Sequence, residues 1–255
     1  MINRFNQFGL SMIELLVALA ISSFLILGIT QIYIDNKKSY YFQQGQAENN
    51  DTSRFIIYTL DNELQKIGYR RRPDLKYESI FKASGDFARG EIVKVDAENK
   101  LRFRYQPHST EDYACDGSSV SESDFSDINS IYKGVNLLPR VVTIEFDKAN
   151  GVLKCNGNEI VSNVTEFEFL YAVPVNDTNS RAGLKYVDFD QLTSSKKVKG
   201  IRYRALISSN MKNLADFEDS KALDTFYKEV DDKPDSRAIY QLVNKTVMLR
   251  NLTSW

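Results

Sequence analysis

An uncharged stretch near the N-terminus limits most strongly what this chain can fold into. No Asp, Glu, Lys or Arg occurs in the 20 residues from Leu15 to Ile34. As a helix, about 20 apolar residues cross the roughly 30 Å hydrocarbon core of a bilayer. We therefore predict a single membrane-spanning helix, followed by a large domain in water.

A cleaved secretory signal peptide is the alternative for this stretch. Such a peptide has an apolar region of about 7 to 15 residues that ends in small residues at the cleavage site. Here Ala18 and Ala20 come too early, because the apolar residues Phe24 to Leu27 follow them. This pattern favours a helix that the protein keeps.

Apolar residues at helical spacing continue beyond the uncharged stretch. The segment from Asp35 to Lys66 contains no proline, and a stripe with helical period follows at Ile57, Leu60, Leu64 and Ile67. Gly68 suits the end of a helix, and Pro73 prevents its resumption. We predict one helix from Leu10 to Ile67, about 87 Å long at about 1.5 Å per residue.

The residues just before the uncharged stretch form a recognisable motif. The run Phe8-Gly9-Leu10-Ser11-Met12-Ile13-Glu14, followed by Leu-Leu-Val-Ala-Leu-Ala-Ile, resembles the class III leader of type IV pilins and type II secretion pseudopilins. The resemblance implies that a prepilin peptidase cuts between Gly9 and Leu10 and that the new amine of Leu10 is N-methylated. It divides the chain into a leader (1–9), a helix (10–67, with a membrane and assembly part at 10–34 and an amphipathic part at 35–67) and a periplasmic head (68–255).

Further residues resemble PilW-type minor pilins within this superfamily. They lie in the helix and at the end of the chain: Gln31, Ile32, Tyr33, Ser39, Tyr40, Arg54, Phe55, Leu60, Leu64, Gly68, Tyr69, Tyr240, Val247, Leu249, Arg250 and Asn251. Two features depart from the common pattern. Leu10 stands where many members have phenylalanine, and Arg4 is the single basic residue of the leader.

Glu14 is the one charged residue within the apolar segment. A charge at the centre of a bilayer costs about 2.5 to 3.5 kcal/mol, so such a residue is a functional candidate. After cleavage, the amine on Leu10 of a neighbouring subunit can lie opposite this carboxylate, and we predict an assembly role for Glu14. The alternative is a glutamate in the first helical turn, stabilised by the helix dipole alone.

Beyond Gly68, alternation with a period of two replaces the helical period. Apolar residues alternate with polar ones in four segments, which predict antiparallel strands with one buried face. Those strands are 101–105, 142–146, 166–171 and 201–207, and shorter candidates are 91–95, 152–155 and 246–249. We predict an α+β fold in which an antiparallel sheet covers the polar half of the long helix, as in the type IV pilins.

Composition excludes several classes of function. The 33 basic and 34 acidic residues nearly balance, which gives no reason to expect direct binding to nucleic acid. One histidine and two cysteines exclude zinc sites built on several histidines or four cysteines. No cofactor or metal is expected, and the sequence lacks the common nucleotide-binding and metalloprotease motifs.

Cys115 and Cys155 are expected to form a disulfide, since a head beyond the membrane faces the oxidising periplasm. Two separate buried thiols are the alternative. His108, Asp112 and Cys115 are the parts of a nucleophilic site, but a disulfide would remove the nucleophile. We predict no enzymatic activity.

Two charged groups are left open as binding surfaces. The acidic loops 112–130 and 216–235 lack the ligand spacing of a calcium loop, so solvated loops are the main interpretation and calcium binding the alternative. A basic patch is possible if the strands that carry Arg102, Arg104, Arg202 and Arg204 are neighbours. Exposed strand faces commonly carry such charges without a ligand.

The PilW resemblance implies a non-enzymatic minor pilin that helps to initiate type IV pilus assembly in a priming or tip complex. Implied partners are other minor pilins, the major pilin, the prepilin peptidase, the inner-membrane assembly platform and a PilY-type tip adhesin. Adhesion and twitching motility would depend on it. The alternatives are a GspJ-like minor pseudopilin of type II secretion and a periplasmic enzyme or binding domain on an uncleaved anchor.

Overall fold

A single helix of 55 residues, α1 (Met12–Lys66), runs from the apolar segment into the head without a break. The computed structural model describes residues 11–97, 99–120, 139–175, 183–192, 198–210, 221–227, 234 and 237–252. Ser11 caps the helix at its N-terminus, and Ile67 ends it in an extended conformation. Over 55 residues the helix is about 82 Å long. The predicted helix is confirmed with slightly shorter bounds, and Leu10 lies outside the described residues.

In the described residues, nine strands form two antiparallel sheets. Sheet I has the order β1-β2-β3-β4-β5, and sheet II has the order β7-β6-β8-β9. The strands are β1 (Val93–Ala97), β2 (Lys100–Tyr105), β3 (Arg140–Asp147), β4 (Val152–Cys155), β5 (Asn158–Val161), β6 (Val164–Pro174), β7 (Leu184–Val187), β8 (Gly200–Ser208) and β9 (Tyr240–Met248). Two short helices, α2 (Tyr77–Ile80) and α3 (Lys221–Tyr227), and a 3-10 turn (Arg250–Leu252) complete the described elements.

The α+β fold predicted from the sequence is confirmed, but two sheets stand where the strand pattern predicts one. The chain turns from sheet I into sheet II at Asn163, which has a positive φ of 61°. Its carbonyl accepts a hydrogen bond from the Ser208 amide at 3.1 Å, at the end of β8. Alternation along each strand cannot reveal such a turn, because it reports burial and not which strands pair.

Sheet II covers one face of the second half of α1. The buried residues of the helix follow its period: Gly45, Asn49, Ser53, Ile56, Thr59, Leu60, Glu63 and Leu64. Ile56, Leu60 and Leu64 join Ile67 and the inner faces of both sheets in one core. Each fully buried Leu or Ile contributes about 1.5–3 kcal/mol, so this stripe anchors the head to the helix.

The end of α1 is closed by residues from the far end of the chain. The Asn251 side-chain amide donates to the carbonyls of Gln65 and Ile67 at 2.9 and 3.1 Å. Gly68 follows with a φ of +70°, and its amide donates to the Arg104 carbonyl at 3.0 Å. A Cβ atom at position 68 would collide with the Leu252 side chain.

We therefore expect Gly68→Ala to lower the free energy of unfolding by about 1–3 kcal/mol, from the left-handed backbone and the clash with Leu252. Urea unfolding of the full chain in detergent, followed by intrinsic fluorescence, measures this loss. Gly28→Ala is the control, because nothing lies within 4 Å of a Cβ at that helical position. Equal stability of the two variants would contradict the prediction.

Candidate assembly interface

The first half of α1 presents apolar side chains on every face. From Met12 to Ile34 the large apolar side chains are between 51% and 86% exposed. Soluble monomers rarely expose an apolar surface of this size. By length and composition, α1 is the one helix in the described part of the chain that could cross a membrane.

Glu14 is the one charged residue between Ser11 and Ile34. Its carboxylate accepts a hydrogen bond from the Ser11 amide at 3.2 Å, while the Ser11 hydroxyl accepts one from the Ile13 amide at 3.4 Å. This reciprocal capping box satisfies amides that a helix start otherwise leaves unpaired. Within one chain, Glu14 thus caps the first turn of the helix, which is the alternative that the sequence left open. Gly9 and Leu10 lie outside the described residues, so the cleavage and methylation sites stay predictions.

Beyond residue 45 the two faces of α1 differ. Toward the head, small or polar residues let β9 come close, and the Asn49 side-chain amide donates to the Ile239 carbonyl at 2.8 Å. On the opposite face Phe55 is 50% exposed and Tyr58 is 69% exposed. The sequence pattern locates the apolar stripe but not the small and polar residues that extend it toward the membrane.

Asp61 joins the helix to sheet II, a role that the sequence analysis missed. The Tyr203 hydroxyl donates to its Oδ1 at 3.1 Å, and the Lys245 ammonium forms an ion pair with Oδ2. Burial raises the pKa of Tyr203, and the nearby Asp61 carboxylate raises it further. A carboxylate within an otherwise apolar helical stripe is the signal that could have identified this contact.

The predicted disulfide is present between Cys115 and Cys155, whose Cα atoms are 5.9 Å apart. It ties the loop after β2 to the end of β4. The same loop contacts the last turn of α1, where the Lys66 ammonium lies 3.2 Å from the Asp112 carboxylate and 2.7 Å from the Tyr113 carbonyl. Helix, loop and sheet I are therefore connected at one place.

The basic patch that the sequence left open does not form. Arg102 and Arg104 lie in sheet I, whereas Arg202 and Arg204 lie in sheet II. Arg104 is 1% exposed and donates to the carbonyls of Lys82, Ala88 and Glu91. Arg102 pairs with Asp86 and Asp96, and Arg204 pairs with Glu168. The residues alternate along their strands as predicted, but their strands are not neighbours.

The structure does not assemble His108 and Cys115 into a nucleophilic site. The His108 Nδ1 lies 3.1 Å from the Tyr69 hydroxyl, and the sulfur of Cys115 is in the disulfide. Within the described ranges, no group of three or more His, Cys, Asp or Glu side chains could hold a metal ion. Much of the two acidic loops lies outside those ranges.

Residues 132–251, a little under half of the chain, match the family model of PilW, the type IV pilus-assembly protein W. Residues 4–30 match the prokaryotic N-terminal methylation motif. The resemblance to PilW-type prepilins is confirmed. No curated protein sequence is significantly similar to this chain.

A type IV-like pilin from Thermus thermophilus is among the similar solved structures. It is 14% identical, the match covers 80% of this chain and 97% of that one, and the TM-score is 0.43.

The PilW match spans β3 to β9, and the methylation motif spans the apolar start of α1. The motif and the apolar helix together indicate a membrane-anchored, pilin-like chain.

Loss of the disulfide is expected to lower the free energy of unfolding by about 4 kcal/mol, since it closes a loop of 40 residues. Chemical unfolding of the full chain with and without a reductant measures the change. The double variant Cys115→Ser/Cys155→Ser controls for effects of the reductant elsewhere. The prediction fails if reduction changes stability as much in this variant as in the native chain.

A second prediction concerns Glu63, which is 3% exposed and has one carboxylate oxygen without a hydrogen bond. Burial raises its pKa above the usual 4.5, although Lys66 lies 2.9 Å away and lowers it in part. The folded chain holds this proton more tightly than the unfolded chain does. The contribution of Glu63 to stability is therefore largest below pH 4.5 and falls as the pH rises through the raised pKa.

We expect Glu63→Gln to be more stable than the native chain at pH 7 and to lose that advantage as the pH approaches 4. Unfolding free energies measured between pH 4 and pH 8 provide the test. Glu159→Gln, at an exposed position in β5, is the matched control. A difference between Glu63→Gln and the native chain that does not vary with pH would overturn the expectation.

Proposed function

We propose that this protein is a non-enzymatic minor pilin that takes part in initiating type IV pilus assembly, in a priming or tip complex. The N-terminal methylation motif together with the PilW match over the head carries this proposal. The chain would be held in the inner membrane with its head in the periplasm. A prepilin peptidase would cut it between Gly9 and Leu10 before it enters the fibre.

Pairing between subunits gives Glu14 its role in assembly. After cleavage, Leu10 carries a new amine four residues before this carboxylate. At 4 Å and an effective dielectric constant of about 20, the two charges attract by about 4 kcal/mol before desolvation. The capping box with Ser11 holds the carboxylate at the helix start, where the amine of a displaced neighbour can reach it.

The unbroken helix supports packing between subunits. The apolar surface from Met12 to Ile34 is covered by lipid in the membrane, and the equivalent helices of neighbours would cover it in a fibre. Phe55 and Tyr58 extend an apolar contact surface along the face turned away from the head. Tyr58 is 24 residues beyond Ile34, about 36 Å along the axis, which is too far for contact with the bilayer core.

The PilW match supports the remaining partners that we propose. The head would join other minor pilins, the complex would prime polymerisation of the major pilin at the assembly platform, and a PilY-type adhesin would be carried at the tip. Adhesion and twitching would depend on the protein indirectly. A minor pseudopilin of type II secretion has the same leader and helix. Deletion of the protein distinguishes the two roles: loss of surface pili supports the pilin role, and retention of exoproteins in the periplasm supports the secretion role.

The first test is the N-terminal sequence and intact mass of the protein from cells with and without the prepilin peptidase. We expect loss of Met1 to Gly9 and a methyl group on Leu10 only when the peptidase is present. An intact or differently cut N-terminus in its presence would remove the pilin role and favour an anchored enzyme or binding domain.

Substitution of Glu14 tests its pairing. Glu14→Leu is expected to leave cleavage intact and to reduce incorporation into pili at least tenfold, because the amine of the neighbour loses its counter-charge. Glu14→Asp, which keeps the charge, should retain part of the incorporation. Glu14→Gln, which can still accept from the Ser11 amide but has no charge, separates capping from pairing. Immunoblots of sheared pili provide the measurement. Normal incorporation of Glu14→Leu would show that pairing is not required.

A further inference from the structure

Arg202 is held in one orientation by two neighbours on sheet II. Its guanidinium carbon lies 3.6 Å from the centre of the Tyr186 ring, and its Nε donates to the Thr246 hydroxyl at 3.0 Å. Stacking and the hydrogen bond lock the plane of the guanidinium. Among the described residues, the two terminal nitrogens, which form the fork that suits carboxylates, have no hydrogen-bond partner.

Arg202 has no carboxylate partner among the described residues, whereas Arg102 and Arg204 do. The buried Arg104 has three backbone carbonyls in place of a carboxylate. Arg102 pairs with Asp86 and Asp96, and the next arginine along β8, Arg204, pairs with Glu168 at 2.6 Å. Arg204 also donates to the Thr225 and Phe226 carbonyls of α3. The ordered but unpaired cation at position 202 is therefore a candidate binding site for an anion.

The surface around Arg202 faces away from α1. Residue 203 of β8 points inward to Asp61 of the helix, so residues 200 and 202 point outward. Across the four strands, Tyr186, Ala172, Gly200 and Met248 are paired in one row beside Arg202. Helix α3 covers another part of this outer face, around Arg204.

Apolar side chains surround the guanidinium. Leu184 is 40% exposed, Tyr186 is 37% exposed and Met248 is 43% exposed, all on the same outer face. Between Tyr186 and Met248 lie the small residues Ala172 and Gly200, which have no bulky side chain to project from the sheet. Arginine, tyrosine and methionine are enriched at the centres of protein interfaces, where a few such residues supply most of the binding energy.

We propose that this outer face, defined by Leu184, Tyr186, Arg202 and Met248, binds a segment of another protein that presents a carboxylate beside apolar side chains. The fork of Arg202 receives the carboxylate in a bidentate pair, and Tyr186 and Met248 contact the flanking apolar groups. The apolar rim favours a protein segment over a free phosphate, which has no apolar part to contact it.

The identity of the partner rests on the proposed function. In a pilus the inner side of sheet II faces the helix and the fibre axis, so the outer side is open to a neighbouring head. The partner is therefore the head of a neighbouring subunit of different sequence, recognised by its acidic and apolar segment. Packing between α1 helices is a separate contact on the other side of sheet II.

The test places a photo-cross-linking amino acid at Leu184 of the full chain, in cells that make pili. Mass spectrometry of the cross-linked peptides identifies the partner. We expect a peptide of another protein with an Asp or Glu within a few residues of the cross-link. The yield should fall at least tenfold with Arg202→Gln, and in part with Arg202→Lys, which keeps the charge but loses the fork.

Lys185→Gln is the matched control, since it removes a cation from the adjacent position of β7 on the opposite side of the strand. Its cross-linking should be unchanged. Combining Arg202→Glu with an arginine at the partner's acidic position should restore the cross-link. Cross-links only to lipid or to this chain, or a yield unchanged by Arg202→Gln, overturn the proposal.

The same samples separate this inference from the proposed function. The mass of the N-terminus and the presence of the chain in sheared pili report on processing and assembly. Normal processing and assembly without the cross-link would refute the Arg202 surface alone. A specific, Arg202-dependent cross-link in a chain that is neither processed nor assembled would support the surface and refute the pilin role. Folding of each variant is checked by its unfolding midpoint.

Discussion

The burial of one face of α1 under sheet II is the contact on which the rest of the structure depends. The helix spans about 82 Å, but the head covers it only from about residue 45 onward. Near the membrane, small and polar residues bring β9 close to the helix. Near the head centre, Ile56, Leu60 and Leu64 supply the apolar contact, and Asn251 closes the helix end.

This one-sided contact leaves three surfaces for other molecules. The apolar start of the helix is exposed all round, the outward face beyond residue 45 carries Phe55 and Tyr58, and sheet II exposes its outer face around Arg202. The first two lie on the helix and suit neighbouring helices. The third is turned away from the helix, so it suits a partner of a different kind.

Four arginines show how tertiary context decides the role of a residue. All four sit in strands that alternate apolar and polar residues, yet Arg104 is buried among backbone carbonyls and Arg102 and Arg204 pair with carboxylates. Arg202 is stacked on Tyr186 and has no carboxylate partner among the described residues. Burial of a cation is tolerated at position 104 because three carbonyl groups replace its water.

Much of this architecture follows from local sequence. The long helix, its end at Gly68 and the main strands were predictable, because hydrophobic period and turn residues act over a few neighbouring positions. The division into two sheets, the Asp61 contact and the separation of the arginines were not. They depend on Asn163 turning the chain and on pairings such as β6 with β8, between residues 28 to 43 positions apart. No local pattern encodes such pairings, so only the tertiary structure decided which side chains meet.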